Sequence, residues 1–191
     1  MLIFLQRVIL QGAANGDWED IAFDGSYFYI GDFGNNVNGA RTNLKIYKFP
    51  FNSITDYQTN PVVTVAAQNI ETINFSYSNQ PQPPAPTSNN NTKFDCAAMI
   101  VTNNQVHLFS KNWIDNNCIH YVINSVNAGT YTATPIDTLA TGFLVTAADN
   151  VDGENVIALL GYQTSGFGNH YLYILSDYTG IQFFSGNKRK I

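Results

Sequence analysis

The sequence is short of charge. Only 12% of its 191 residues are Asp, Glu, Lys or Arg, against roughly 25% in an ordinary soluble domain. Nine basic residues stand against fourteen acidic ones, and Lys188-Arg189-Lys190 is the only basic run. Nucleic-acid recognition needs concentrated positive charge, so no nucleic-acid partner is expected. Cysteine is nearly absent as well. Cys96 and Cys118 form no metal-ligand spacing and stand either as one disulfide or as two buried thiols. No apolar run approaches the roughly 20 residues of a helical membrane span. The apolar opening MLIFLQRVIL is broken by Arg7 and lacks a convincing small-residue cleavage site, so it reads as a strand rather than a leader. Helical periodicity is almost absent.

What fills the space is Asn, Ser, Thr, Gly and aromatics, with hydrophobic residues at 45%. Short amides and glycine favour turns while aromatics favour strands, so an all-β chain is expected. The segments SYFYIGDF, LKIYKF, ETINFSY, QVHLFS, IHYVI, VIALLGY and YLYIL are short, β-branched or aromatic, and bounded by turn residues. They also recur. IAFDGSYFYIGDFG is echoed by MIVTNNQVHLFSKN and by DNVDGENVIALLGY, each an apolar strand, a tight polar turn and a stronger apolar strand. Asp24-Gly25 and Asp152-Gly153 read as type I′ hairpin turns, and Asn103-Asn104 as an accepted variant. Once the Pro-rich insertion SNQPQPPAPTSNNNT is set aside, the spacing approaches the roughly 40 to 50 residues of a four-stranded blade.

This organisation predicts a β-propeller of four-stranded antiparallel blades, forming an incomplete ring or part of a larger one, in preference to a β-sandwich. The expected divisions are a strand of a preceding blade over 1–14, blades over 15–77, 94–140 and 141–185, a Pro/Asn-rich loop over 78–93, and the start of a closing blade over 186–191. Open sheet edges in such a chain invite self-association.

The densest chemistry lies in DWEDIAFDGSYFYIGDFGNN. Its Asp32-Phe33-Gly34 matches a kinase magnesium tripeptide, but the glycine-rich loop, strand lysine and catalytic-loop aspartate of a kinase are all missing. A two-residue Asp24-Gly25 turn instead pairs Asp17 with Asp32 and Glu19 with Ile30; a one-residue slip brings Glu19 near Asp32. Opposed like charges are unfavourable without a cation between them. Calcium takes about six to eight oxygens from carboxylates, amides and carbonyls, which makes Asp17, Glu19, Asp20, Asp32 and Asn35 the candidate ligands. Solvated strand ends or turn acceptors are the competing reading. Trp18 is expected to pack between blades, with one partner for its indole N–H. Lys111 reads as a surface lysine or as a counter-charge reaching the central channel. His107, His120 and His170 read as packed or exposed strand residues rather than ligands. No G-x-S-x-G elbow anchors a hydrolase triad.

The set DWEDIAFD, YIGDFGNN, LKIYKFP, FDCAAMI, HLFSKNW, LVTAADN and FFSGNKRKI resembles a family of secreted Bacteroidota β-propeller proteins that often end in a type IX secretion sorting domain. The likeness covers about Val8 to Ile191. It implies export and residence at the cell surface or outside the cell, and no particular reaction. This chain has Ala97 where the family pattern has glutamate, which removes a carboxylate equivalent to Glu19. The reading favoured by the residues is a non-catalytic extracellular module that binds a glycan or protein, with a structural cation. A calcium-dependent phosphoesterase or lactonase is the alternative.

Overall fold

The computed structural model describes residues 5–56, 58–151, 153–163 and 168–191. The strands are β1 (Arg7–Leu10), β2 (Trp18–Phe23), β3 (Tyr27–Asp32), β4 (Lys45–Pro50), β5 (Val62–Val65), β6 (Glu71–Tyr77), β7 (Cys96–Thr102), β8 (Gln105–Ser110), β9 (Cys118–Ile123), β10 (Gly129–Leu139), β11 (Leu144–Asn150), β12 (Val156–Tyr162), β13 (His170–Ser176) and β14 (Asn187–Lys190). The chain is all-β, and the described residues contain no α-helix.

Three antiparallel runs of four strands follow one another: β2-β3-β4-β6, β7-β8-β9-β10 and β11-β12-β13-β14. The expected separation of the first two fails. The first half of β10 pairs parallel with β6, from Ile73–Gly129 to Tyr77–Ala133, before its second half turns back onto β9. The eight strands therefore form one mixed sheet, nearly closed and barrel-like, because Asp20 on β2 accepts the Met99 N–H of β7 at 2.6 Å where the sheet's two ends meet. Residues 186–191 do not begin a new unit either. They supply β14, the fourth strand of the third run, while IQFF lies in the turns before it.

The strand period of two explains the packing. Met99 and Val101 of β7 face a core shared with Tyr29, Ile46 and Ile73 of the first run. The alternate residues Ala98 and Ile100 face a second core with Val145, Ile157 and Leu159 of the third. A third, smaller core joins Leu10 and Val65 to Tyr47 and Phe49. Cys96 and Cys118 are free buried thiols within the first two cores.

The leading hairpins repeat down to a defect. Register slips between Trp18 and Asp20, between Cys96 and Ala98, and between Val145 and Ala147, so Glu19, Ala97 and Thr146 are equivalent bulges. Asn103 and Asn104, with φ of 51° and 58°, make the second hairpin's type I′ turn. The third turn involves Asp152, which lies outside the described residues.

The first hairpin is displaced by one residue from the expected turn. The Asp24 carboxylate accepts N–H bonds from Ser26 and Tyr27 at 2.9 and 2.7 Å, which fixes Asp24 before the turn and leaves Gly25-Ser26 at its centre. Gly25 has φ of 91°. Phe23 then pairs with Phe28 and Ile21 with Ile30, and the bulge sets Trp18 rather than Asp17 opposite Asp32.

Candidate functional site

The five expected metal ligands lie at the bulge end of the sheets, and most of their oxygens already have partners. Asp32 is buried. Its Oδ1 accepts the Asp17 N–H at 2.8 Å and the Arg41 guanidinium at 2.8 Å, and its Oδ2 accepts the Gly16 N–H at 3.3 Å. Arg41, from the following loop, brings a positive charge to the buried Asp32 carboxylate. Its other nitrogen donates to the Gly34 carbonyl at 2.6 Å. Asn35 is equally committed. Its amide donates to the Phe94 carbonyl, its Oδ1 accepts the Arg41 N–H, and its backbone N–H donates to Asp95 Oδ1 at 2.6 Å.

Asp20 points the other way, between the first and second runs. Its carboxylate accepts the Met99 and Ile21 N–H groups, and burial, opposed by these bonds, pushes its pKa up to about 6. Asp20→Ala orphans the Met99 N–H and is expected to cost about 1–3 kcal/mol by urea unfolding, while Asp20→Asn retains an acceptor and most of the stability. Equal losses in the two variants would refute this role.

Asp17 and Glu19 remain close together. A side chain built on Gly34 would strike both Asp17 Oδ2 and Glu19 Oε1. Burial pushes the Glu19 pKa up to about 7; Lys111 pulls it down, and Asp17 and Asp95 push it further up. Lys111 thus serves as a counter-charge at this end, with its ammonium 5.2 Å from the Trp113 ring centroid. Asp95 holds this end together, accepting the Trp113 indole N–H at 2.7 Å as well as the Asn35 N–H. Among the described residues no group of three or more His, Cys, Asp or Glu is arranged to hold a metal ion. Trp18 donates its indole N–H to the Ala14 carbonyl at 3.3 Å and meets Tyr47 edge-on.

The opposite end, where the hairpin turns lie, is open. A cavity of about 430 Å³ sits where β2, β7 and β11 approach one another, lined by Ile21, Phe23, Met99, Ala148, Asp149 and Asn150 among others. A second, of about 270 Å³, shares Ile100 and Asn150 with it and continues to Asn103, Glu154, Asn155 and Tyr178. A third, of about 300 Å³, runs on through Thr102 and Asn103 to Asn104 and Asp24. These form a valley across the turn ends, apolar around Ile21, Phe23 and Met99 and polar toward Asn103, Glu154 and Asn155. No family model and no curated protein matches this chain. The valley and the acidic end therefore have to be read from their own chemistry.

Sequence reasoning missed three features. Arg41 and Asp95 carry no local pattern that reveals their partners. The histidine pair is the third: His107 Nδ1 and His120 Nε2 share a 2.9 Å hydrogen bond, and His120 Nδ1 lies 2.9 Å from Asp137 Oδ1. His170, also singled out, is exposed at the start of β13.

Proposed function

We propose that this chain is a binding module forming part of a β-propeller, and that its turn-end valley takes a glycan at the cell surface or outside the cell. The ring arrangement is supported by the equivalent bulges in β2, β7 and β11 and by the single cores between consecutive runs. Export is supported by the resemblance of the DWEDIAFD and YIGDFGNN motifs to secreted propellers. Because propellers host many activities, the ligand class has to come from the site itself.

The carrying observation is the side-chain supply of the valley. The amides of Asn103, Asn150 and Asn155 make no side-chain hydrogen bond to another described residue, and all three line one cavity with Glu154 and Tyr178. An amide donates and accepts at once, which suits the paired hydroxyls of a sugar. A tyrosine ring offers a flat apolar face with little entropy to lose. The bulge end then serves as a clamp that holds the strands in register.

A glycan array probed with the whole chain tests this reading, followed by calorimetry on the strongest hit. Asn150→Ala and Tyr178→Ala are each expected to weaken that hit about tenfold, or about 1.4 kcal/mol. A blank array, or hits that survive both substitutions, would overturn it.

A further inference from the structure

A pairing rule repeats in this chain, and one strand satisfies only half of it. β10 lies parallel beside β6, the outermost strand of the preceding run, before the chain joins its own run against β9. β5 does the same beside β1, from Arg7–Val62 to Leu10–Val65, and the chain then turns into β6 against β4. By this correspondence β1 stands where the outermost strand of a further, preceding run would stand. β6 is partnered on both edges, by β4 and β10, whereas β1 is partnered only by β5 among the described residues. Arg7 and Gln11 donate their N–H groups to β5-side carbonyls at 2.9 and 3.0 Å. Strand alternation therefore places the Val8 and Leu10 N–H groups on the free edge.

Between β1 and the face of the first run lies an apolar groove of about 280 Å³, lined by Val8, Leu10, Trp18, Ile21, Phe28 and Ile30 among others. Counted from the bulge, Ile21 is the counterpart of Met99. Met99 is fully buried beneath the preceding run, while Ile21 is 57% exposed. The first run thus lacks the cover that it gives to the second.

The geometry points to a docking surface for a three-stranded antiparallel β-unit, a repeat without its own outermost strand, which β1 completes as the fourth strand while the groove receives its apolar face. A second copy of this chain does not fit. Each of its runs already has a fourth strand, which would collide with β1. The inference rests on the ring arrangement proposed above and not on the glycan site, so failure of either leaves the other standing.

The test is a tandem chain in which residues 94–123, the chain's own three-strand unit, are repeated ahead of β1 through a flexible glycine-serine linker. Amide exchange at Val8 and Leu10 is expected to slow at least tenfold. Trp18 emission shifts to the blue, and the chain stays monomeric. Val8→Pro, which removes one free-edge N–H without touching the bonds to β5, abolishes the protection at Leu10, the amide that remains to report. Unchanged exchange at Val8 and Leu10 overturns the proposal. So does protection that survives Val8→Pro or comes without the Trp18 shift, and so does a dimer of the unextended chain that buries the groove.

Discussion

Asp32→Ala is expected to lower the unfolding free energy by about 3–5 kcal/mol. The carboxylate is buried and holds three donors: the Asp17 and Gly16 N–H groups and the Arg41 guanidinium. Removing it leaves a charged group, 19% exposed, without its counter-ion. It also strands two backbone donors at the point where the chain enters β2. Asp32→Asn separates the two contributions, because an amide oxygen still accepts N–H bonds but brings no charge to Arg41; its loss should fall between wild type and Asp32→Ala. In the cycle with Arg41→Ala, the double variant should lose clearly less than the sum of the singles, since each residue is costly mainly when the other is left unpaired. Urea denaturation at neutral pH reads all five proteins. A loss below about 1 kcal/mol for Asp32→Ala, or additive singles, would mean that Arg41 does not clamp this end.

The same site shows how far the sequence could be read. Asp32-Phe33-Gly34 was legible as the end of a hairpin strand, and Phe33 is indeed fully buried at that point. The need for positive charge beside the acidic groups was also legible. Its source was not, because Arg41 reaches Asp32 through a loop whose path no short pattern encodes. Strand identities came through because alternation and β-branching are local properties. β5 and the parallel joins did not, since VVTV and GTYTA pair with strands more than fifty residues away. The one-residue displacement of the first hairpin came from Asp24 acting as a side-chain acceptor, which competes with the backbone preference of Asp-Gly for a type I′ turn. The shared bulge could have been found, in hindsight, from the alignment of Glu19 with Ala97. That equivalence is visible in the sequence; its backbone consequence is not.

Acidification is expected to weaken the fold through His107. Its ring is fully buried, bonded to His120 on one side, and its Nε2 has no partner among the described residues. A second proton on this ring would place an unsatisfied N–H⁺ in the core. Burial, and after it the neighbouring His120, therefore pull the His107 pKa down to about 3 from an ordinary 6.5. The unfolded chain takes up this proton first as pH falls. The stabilising contribution is thus complete above about pH 6.5 and drains away toward pH 3, with about 3 kcal/mol gone by pH 4. Glu19 and Asp20 act with the opposite sign. Their folded pKa values are raised to about 7 and about 6, so they add stability as pH falls through those values and partly mask the histidine in the wild-type curve. The difference between wild type and His107→Leu removes the mask, because both carboxylates are common to the two proteins. At pH 7 the variant should be the less stable, having lost the bond to His120. The gap should then close and reverse as pH drops to 4, a swing of about 3 kcal/mol. Stability curves that stay parallel from pH 7 to 4 would show that the buried ring takes no part in acid unfolding.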